Sequence, residues 1–349
     1  MKATFSKYIL NFKIPAGTSR GILKTKETWF LKIEAAAKHG IGECGMFRGL
    51  SIDDKPDFEE KLQWVCENIH LGEEVLLKEL TEFPSIQLGL ETAFKSLVAE
   101  DAFQIFPSQF SRGNTAIPIN GLVWMGDKNF MKQQISEKLT NGFSCIKMKI
   151  GAIDFQTEIS LLQHIRKEFS PSEIELRVDA NGAFSPSEAL EKLKILSELQ
   201  LHSVEQPIKQ GQWQEMARLC EVSPLPIALD EELIGIFSSE ERVKLLKTIQ
   251  PQYIILKPTL IGGFQGSDTW ISLATSMGIG WWITSALESN IGLNAIAQYT
   301  ASKKSSQPQG LGTGSLFSNN IASPLQVIDG TIRYNKNKNW DAGHLKELL

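Results

Sequence analysis

From about residue 115 onward, short apolar runs alternate with amphipathic segments long enough to form helices. Buried parallel strands have this kind of continuous apolar run, and a helix follows each of them in a β–α unit. The pattern predicts eight strands: IPINGLVWM (117–125), FSCIKMKIG (143–151), IELRVDANG (174–182), LHSVEQPI (201–208), PIALDEE (226–232), YIILKPTL (253–260), GIGWWITSA (278–286) and QPQGLGTG (307–314). Eight such units favour a closed α/β barrel, although the glycines weaken the last strand. An open doubly wound sheet is the alternative, but no G-x-G-x-x-G follows the first strands.

The first hundred residues have a different pattern, which predicts a small α+β domain. Strands are expected at 3–13 and 28–36, with a mobile loop at 17–26 and a second glycine-containing loop at 42–51. A helix is expected from Pro84, because apolar residues then recur at helical spacing and proline is favoured in the first turn. We therefore divide the chain into an α+β domain (1–112), a barrel (113–320) and a C-terminal segment (321–349). That last segment contains a predicted strand pair, LQVIDGTIRYN, which we expect to return to the first domain.

Composition and net charge limit the classes of partner that the protein is expected to bind. The 349 residues are 42% hydrophobic and 22% charged, as in ordinary globular proteins, and the net charge of -4 gives no electrostatic reason to expect nucleic acid. Four scattered cysteines without C-x-x-C spacing indicate reduced thiols. The N-terminus lacks the apolar core of a signal peptide, and no stretch approaches 18 apolar residues. We expect a cytoplasmic protein without membrane contact, and a homo-oligomer is compatible with the sequence.

Charged residues stand at the carboxyl ends of successive predicted strands. They are Lys149 (with Lys147 two residues before it), Asp179, Glu205, Asp230 and Lys257. They recur at intervals of roughly 25 to 30 residues, about one β–α unit each, and the carboxyl ends of barrel strands form the active-site face. Three converging carboxylates repel one another unless a cation lies between them. Because these ligands offer only oxygen, and no histidine falls at a strand end, the pattern favours Mg²⁺ over zinc.

Each of these charges has a simpler explanation when it is taken alone. An Asp that ends a parallel strand is often the N-cap of the next helix. Glu205 precedes Gln-Pro and is compatible with a position in a solvent-facing loop. Lys257 is compatible with a side chain that extends to the solvent at the barrel rim. Five such coincidences in consecutive units are much less probable than one shared site.

The set of motifs resembles the enolase superfamily, in particular its muconate-lactonizing-enzyme subgroup. The resemblance covers nearly the whole chain and is carried by Lys147-Met148-Lys149, Asp179-Ala180-Asn181, Glu205-Gln206-Pro207, Asp230-Glu231 and Lys257-Pro258. It implies a (β/α)7β TIM-like barrel with an N-terminal α+β capping domain that the C-terminal segment completes.

The resemblance also implies a mechanism. Asp179, Glu205 and Asp230 would hold Mg²⁺, which binds the carboxylate of a small-molecule substrate. Lys149 would be the base that removes a proton α to this carboxylate and produces an enediolate. The nearby cation of Lys147 and partial burial would favour the neutral amine of Lys149. Lys257 would face the other side of the substrate, as a stabilising cation or a second base.

The ends of the last two units, SALESNIG (285–292) and QGLGTGSLF (309–317), are most similar to the o-succinylbenzoate synthases of the subgroup, which serve menaquinone biosynthesis. These enzymes dehydrate 2-succinyl-6-hydroxy-2,4-cyclohexadiene-1-carboxylate. By this resemblance Lys149 would take the proton and then help hydroxide to leave from the same face. Candidate substrate contacts are Gly310, Gly312 and Thr313 in the glycine-rich turn, with Ser285 and Arg177. The glycines are also compatible with a tight connection alone.

Other reactions remain open. Within the subgroup they are N-acylamino acid racemisation, dipeptide epimerisation and muconate cycloisomerisation. The region 309–317 has no acidic residue, which argues against an aminated dipeptide substrate. A Schiff-base lysine enzyme and a barrel that only binds are the alternatives from other classes.

The capping domain is expected to close over the barrel mouth through residues 17–24 and 44–50, where Arg20, Phe47 and Arg48 are possible substrate contacts. Lys24 and Lys26 are expected to be surface charges.

Overall fold

An antiparallel sheet and three helices make up the N-terminal part of the computed structural model, which describes residues 1–18, 21–303, 305–341 and 343. The strands β1 (Lys2–Thr18), β2 (Gly21–Ala35) and β3 (Lys38–Cys44) pair in that order. The helices are α1 (Phe58–Glu67), α2 (Glu73–Lys78) and α3 (Pro84–Val98), with a 3-10 turn at Ile69–Leu71. Alternate residues of β2 point into an apolar core that these helices complete. Helix α3 lies directly on β3, since a Cβ on Gly42 would come 1.8 Å from the Gly89 carbonyl oxygen.

The predicted helix from Pro84 is confirmed as α3, but the predicted loop at 17–26 is wrong at its described positions. There the hairpin continues, because Gly17 pairs with Ile22 and Thr18 with Gly21. The second predicted loop also begins later than expected, since β3 extends to Cys44. Glycines suggested loops in both places, whereas cross-strand pairing decided the local structure.

The next part of the chain alternates strands and helices. The strands are β4 (Ala116–Pro118), β5 (Gly121–Val123), β6 (Cys145–Lys149), β7 (Glu175–Asp179), β8 (Ser203–Glu205), β9 (Ile227–Leu229), β10 (Tyr253–Leu256) and β11 (Gly280–Ile283). The helices are α4 (Lys128–Thr140), α5 (Phe155–Glu168), α6 (Pro186–Ser197), α7 (Trp213–Val222), α8 (Ser239–Ile249), α9 (Pro258–Ile261), α10 (Gly263–Ser276) and α11 (Asn290–Lys303), with a 3-10 turn at Glu231–Leu233. Strands β5 to β11 form one parallel sheet in chain order, which confirms seven of the eight predicted strands.

Local sequence determines where several of these helices begin. The carboxylates of Asp127 and Asp154 accept the backbone N–H groups of Phe130 and Thr157 at the starts of α4 and α5. Capping boxes begin α6 at Ser185 and α8 at Ser238. Each helix therefore starts at the same edge of the sheet, just after the carboxyl end of a strand.

The eighth predicted strand is reduced, within the described residues, to single bridges at Gln309 and Gly310. Gln309 bridges Ile119 and Gly310 bridges Thr284, both in parallel orientation. The Gln309 N–H donates to the Pro118 carbonyl at 2.9 Å, and the Gly310 N–H donates to the Ile283 carbonyl at 2.8 Å. Residues 309–310 thus contact the end of β11 on one side and, on the other, Pro118 and Ile119, just before β5.

The C-terminal strand pair exists, but its partner differs from the expected one. Strands β12 (Leu325–Ile328) and β13 (Thr331–Tyr334) form a hairpin, and β13 pairs with β4 rather than with the N-terminal sheet. Further along, the Trp340 ring stacks on Phe103 at 4.2 Å, which brings this end of the chain next to the segment after α3.

All four cysteines are buried with free thiols. Over the described residues, no helix is both long and apolar enough to cross a lipid bilayer.

Candidate active site

Strand register gathers the predicted charges on one face of the parallel sheet. Lys149 pairs with Asp179 across β6 and β7, and Asp179 pairs with Glu205 across β7 and β8. Directly paired residues of a parallel sheet point to the same side, as do residues two apart on one strand. Lys147 therefore shares this face, and Asp230 and Lys257 continue the row just after β9 and β10.

The side chains of this row contact one another. The Lys147 Nζ lies 2.9 Å from Asp179 Oδ2 and also donates to Glu205 Oε2. The Lys149 Nζ donates to the same Asp179 oxygen at 2.9 Å. At the other end of the row, Lys257 donates to Asp230. Lys147, Lys149, Asp179 and Glu205 thus form one connected group of side chains, and Lys257 and Asp230 form a pair next to it on the same face.

Helix capping does not account for these carboxylates. Asp230 makes no capping hydrogen bond to the turn that follows it. Asp179 Oδ1 accepts the nearby Asn181 N–H at 3.0 Å, which lies before α6 and not in it, while its other oxygen contacts both lysines. The carboxylates are oriented by the lysines rather than by helix ends.

Burial and opposite charge act against each other in this cluster. Burial alone would raise the pKa of Asp179, but Lys147 and Lys149 hold it well below its usual range. Burial likewise opposes the charge on Asp230, whose pKa Lys257 and Lys147 nevertheless lower. For Glu205, burial and the neighbouring Asp179 raise the pKa well above the ordinary value. Glu205 is therefore the carboxyl group whose negative charge the neighbouring lysines compensate least.

The donor set fits a hard divalent cation. It consists of carboxylate oxygens from three neighbouring strand ends, and Glu205 Oε1 is buried without a hydrogen-bond partner among the described residues. The same part of the chain contains no group of three or more Asp, Glu, His or Cys side chains already arranged around a metal position. The carboxylates are turned instead towards the ammonium groups of Lys147 and Lys257. The magnesium site therefore stays a prediction that rests on donor chemistry.

A cavity of about 310 Å³ opens onto the cluster. Lys147, Lys149, Asp179 and Lys257 form its polar floor, and apolar side chains from four parts of the chain form its walls: Phe47, Leu50, Leu122, Trp124, Ala286, Leu287 and Leu316. A mostly apolar pocket with a few convergent polar groups is typical of a small-molecule site.

Two predicted substrate contacts lie together in this cavity. Ser285 and Thr313 line it, and their hydroxyl oxygens are 2.7 Å apart. Gly312 lines it as well. Their roles towards a substrate remain predictions.

Gly310 borders the cavity, but it cannot serve as predicted. Its N–H donates to Ile283 and its carbonyl oxygen accepts from the Ser285 N–H at 3.0 Å. The Gly310 N–H, one of the backbone groups expected to hold a substrate carboxylate, is used instead to join residues 309–310 to β11. Gly310 is thus a structural residue here.

Arg177 lies away from the cavity wall in the described structure and is only 2% exposed. Its guanidinium contacts Glu175, the Pro308 carbonyl and Gln307, and lies 4.1 Å from the centre of the Trp282 ring. Because Arg177 is two residues before Asp179 on β7, it points to the same side but one layer deeper. Its predicted contact with substrate does not fit this position.

The capping-domain predictions have mixed outcomes. Phe47 lines the cavity, whereas Arg48 pairs with Glu27 and Asp54 at the surface. Arg20 lies outside the described residues. Lys24 is exposed as expected, but Lys26 is only 6% exposed, so its assignment as a surface charge is wrong.

Sequence reasoning missed Asn181 as a site residue. Its Oδ1 accepts from Lys149 at 2.6 Å, and its Nδ2 donates to Glu231 Oε1 at 2.9 Å. Asn181 has a φ of 44°, a left-handed conformation that asparagine tolerates better than most residues. Its place two residues after Asp179 in the DAN motif was the available signal.

Comparison with known proteins supports one family. A model described as "Enolase C-terminal domain-like" matches residues 131–338. An o-succinylbenzoate synthase of Desulfotalea psychrophila is 46% identical over 95% of this chain and 98% of that protein. The crystal structure of MenC from Desulfotalea psychrophila LSv54 matches with a TM-score of 0.85 and 42% identity, covering 95% of this chain and 99% of that one. A dipeptide epimerase from Enterococcus faecalis V583, complexed with Mg and a dipeptide, shares the fold at a TM-score of 0.83, 19% identity and 96% coverage of both chains.

Proposed function

The chain belongs to the enolase C-terminal domain-like family, and we propose that it is an o-succinylbenzoate synthase. It dehydrates 2-succinyl-6-hydroxy-2,4-cyclohexadiene-1-carboxylate to o-succinylbenzoate, a carbon–oxygen lyase reaction of menaquinone biosynthesis. The observation that carries this proposal is 46% identity to a named o-succinylbenzoate synthase over nearly the full length of both proteins. The cavity contains the proposed catalytic groups, since both Lys149 and Lys257 line it.

We infer that the seven-stranded sheet closes as a (β/α)7β barrel. The bridges of Gln309 to Ile119, just before β5, and of Gly310 to Thr284, just after β11, support this closure. The boundaries at 112/113 and 320/321 are proposed for a capping domain, a barrel and a C-terminal segment. Pairing of β13 with β4 attaches that last segment to the start of the barrel.

Lys149 is the proposed base. It removes the proton α to the substrate carboxylate, and the electron pair of that C–H bond moves into an enediolate. The resulting ammonium then gives its proton to the departing hydroxyl on the same face, so that water leaves and the ring becomes aromatic. Asn181 and Asp179 hold the Lys149 Nζ at the floor of the cavity through the contacts described above.

Lys257 approaches from the carboxyl end of β10, on the far side of the carboxylate row from Lys149. Its ammonium, held by Asp230, places positive charge where the enediolate forms. Lys147 contributes the third ammonium and orients Asp179 and Glu205.

Asp179, Glu205 and Asp230 are the proposed ligands of Mg²⁺. When bound, Mg²⁺ supplies positive charge that offsets the three carboxylates and stabilises the negative charge developing on the substrate carboxylate. The buried Glu205 oxygen without a donor among the described residues supports this assignment.

A racemase or epimerase of the same family is the second candidate. The observation that favours it is the placement of two lysines, Lys149 and Lys257, on one cavity, as a two-base reaction requires. Muconate cycloisomerisation would use the same pair. A cytoplasmic location and a homo-oligomeric state also remain predictions.

One assay separates these reactions. The purified protein with Mg²⁺ is given the cyclohexadiene substrate, N-succinyl amino acids, dipeptides and cis,cis-muconate in parallel. We expect rapid conversion of the first, followed by the absorbance of the aromatic product. Turnover of dipeptides alone would contradict the dehydratase assignment and leave the family unaffected. Covalent trapping of the substrate by borohydride would indicate Schiff-base chemistry instead.

A further inference from the structure

A second buried charge cluster lies between the N-terminal sheet and the start of α11. It contains Glu43 on β3, Lys26 on the neighbouring strand β2, and Glu288 just before α11. Their exposed fractions are 1%, 6% and 0%. Buried charges are retained only when they are paired and hydrogen-bonded, so this cluster calls for an explanation.

Glu43 spans the boundary between the two parts of the chain. Its Oε1 accepts from the Thr28 hydroxyl and from the Ser289 N–H, each at 2.8 Å. Its Oε2 accepts from the Ser289 hydroxyl and from the Gly292 N–H, the latter at 2.8 Å. Three of these four donors belong to the first turn of α11 and the residue before it. Gly292 is needed for this approach, because a Cβ there would lie 2.8 Å from Glu43 Oε2.

The turn that Glu43 fixes leads directly into the cavity wall. Ser285, Ala286 and Leu287 line the cavity, and Ser289 follows only two residues later. Leu287 has a φ of 64°, which is unfavourable for a leucine and needs support from its surroundings. Glu288 supplies part of that support, since its Oε2 accepts from the Ala286 N–H at 2.8 Å and its Oε1 from the Thr259 hydroxyl. Thr259 is two residues after Lys257.

Lys26 connects this cluster to the capping-domain side of the same cavity. Its Nζ donates to the Gly45 carbonyl at 3.1 Å, two residues before the cavity-lining Phe47. A Cβ on Gly45 would lie 3.4 Å from this Nζ and 3.2 Å from the Glu288 Cγ, so the cation and that carboxylate flank the same glycine. The positive charge of Lys26 offsets the two buried carboxylates.

We propose that Glu43 is a positioning residue for the reaction. By holding Ser289 and Gly292, it fixes the 285–287 wall of the cavity relative to Lys257, and Lys26 couples this wall to the capping-domain loop that carries Phe47. The inference rests on the proposed function, since it concerns the placement of that substrate. A wall displaced by about 1 Å is enough to lower turnover by up to about 100-fold in an enzyme site.

Glu91 provides a matched control. It is also a capping-domain glutamate, 1% exposed, and it accepts the Phe264 and Gln265 N–H groups at the start of α10. Glu91 thus caps a barrel helix as Glu43 does, but α10 begins away from the cavity-lining residues. Substitution by glutamine at either position replaces a carboxyl group with an amide and keeps the side-chain shape.

The experiment measures kcat, KM and the affinity for o-succinylbenzoate in Glu43→Gln and Glu91→Gln at a temperature where both remain folded. We expect kcat/KM per folded molecule to fall at least about tenfold in Glu43→Gln, with weaker product binding, and to stay within about twofold of the unmodified protein in Glu91→Gln. Equal losses in both variants, or none in Glu43→Gln, would overturn the proposal.

If Glu43→Gln fails to fold, Ser289→Ala tests the proposal instead, because it removes a single donor to Glu43 and leaves the Glu43 side chain in place. A smaller loss of kcat/KM in the same direction supports positioning, and an unchanged kcat/KM overturns it. If the unmodified protein does not dehydrate the substrate, the proposed function fails instead, which is a separate result.

Discussion

Two lysines in a five-residue strand are tolerated because each has a carboxylate partner. Lys147 and Lys149 share one oxygen of Asp179, although both are only 8% exposed. An unpaired ammonium at such a depth would be strongly unfavourable. At the scale of single residues, the like-charged pair therefore indicates a site that was shaped for chemistry rather than for stability alone.

A substitution of Asp230 tests the proposed metal ligands without an activity assay. Asp230→Asn removes one carboxylate charge and should weaken Mg²⁺ binding, measured by calorimetry, by roughly 10- to 100-fold. Glu191→Gln, a surface substitution on α6, is the control for general charge effects. Unchanged Mg²⁺ affinity in Asp230→Asn would remove this residue from the ligand set.

Arg177 is predicted to matter for stability and not for substrate. Arg177→Met keeps much of the apolar volume but leaves Glu175 and the Pro308 carbonyl without their donor. Arg177 is buried whereas Glu175 is partly exposed, and loss of the charged hydrogen bonds of Arg177 should lower the free energy of unfolding by about 1.5–3 kcal/mol. Denaturant unfolding checks this value. A large rise in KM with unchanged stability would return Arg177 to the substrate site.

At the scale of elements, the contact of residues 309–310 with the end of β11 depends on one glycine. A Cβ on Gly310 would lie 1.4 Å from the Thr284 Oγ1 and 2.6 Å from its Cβ, so rotation of the threonine cannot relieve the overlap. Gly310→Ala should therefore destabilise the protein by about 2–3 kcal/mol. Gly312→Ala is the control, because the nearest atom is the end of the Ile119 side chain at 3.3 Å. Similar melting temperatures for both variants would contradict this account.

Glu91, which joins α3 to the start of α10, is expected to make the free energy of unfolding depend on pH. Burial, opposed by the N–H groups of Phe264 and Gln265, raises the pKa of Glu91 to about 7, from an ordinary value of 4.5. The folded state then binds the proton more tightly than the unfolded state, so this group makes stability fall as pH rises from about 4.5 to 7. The decrease amounts to about 3 kcal/mol.

Glu91→Gln cannot ionise and should lack this contribution. Denaturant unfolding at pH 5 and pH 8 provides the check: the stability of Glu91→Gln relative to the unmodified protein should be greater at pH 8. A difference that does not change with pH would show that Glu91 ionises normally.

Periodicity was sufficient to predict the seven parallel strands and the start of α3. Seven apolar runs became the strands β5 to β11, and α3 begins at Pro84 as expected. The failures involve glycine. Gly17 and Gly21 belong to a hairpin that only cross-strand pairing reveals, and the eighth segment uses its glycines for close contact with Thr284 instead of extended pairing. Local sequence does not encode such long-range contacts directly.

At the scale of the whole molecule, the spacing of charges predicted which residues meet, but not what surrounds them. One charge per β–α unit was enough to bring Lys149, Asp179, Glu205, Asp230 and Lys257 together, because strand register is regular. The depth of Arg177 and the burial of Lys26 depend on how the N-terminal sheet and the parallel sheet pack against the rest of the chain, and no short motif predicts that packing.

The rate of dehydration in Lys149→Ala, measured at saturating Mg²⁺, tests most directly whether this lysine is the base. Lys194→Ala, on the surface of α6, is the control. If Lys149 removes the proton, kcat should fall by about 10³-fold or more, while Lys194→Ala stays at the unmodified rate. The affinity for o-succinylbenzoate, measured by calorimetry, should change little. Dehydration by Lys149→Ala at a tenth of the unmodified rate or faster would contradict the central claim.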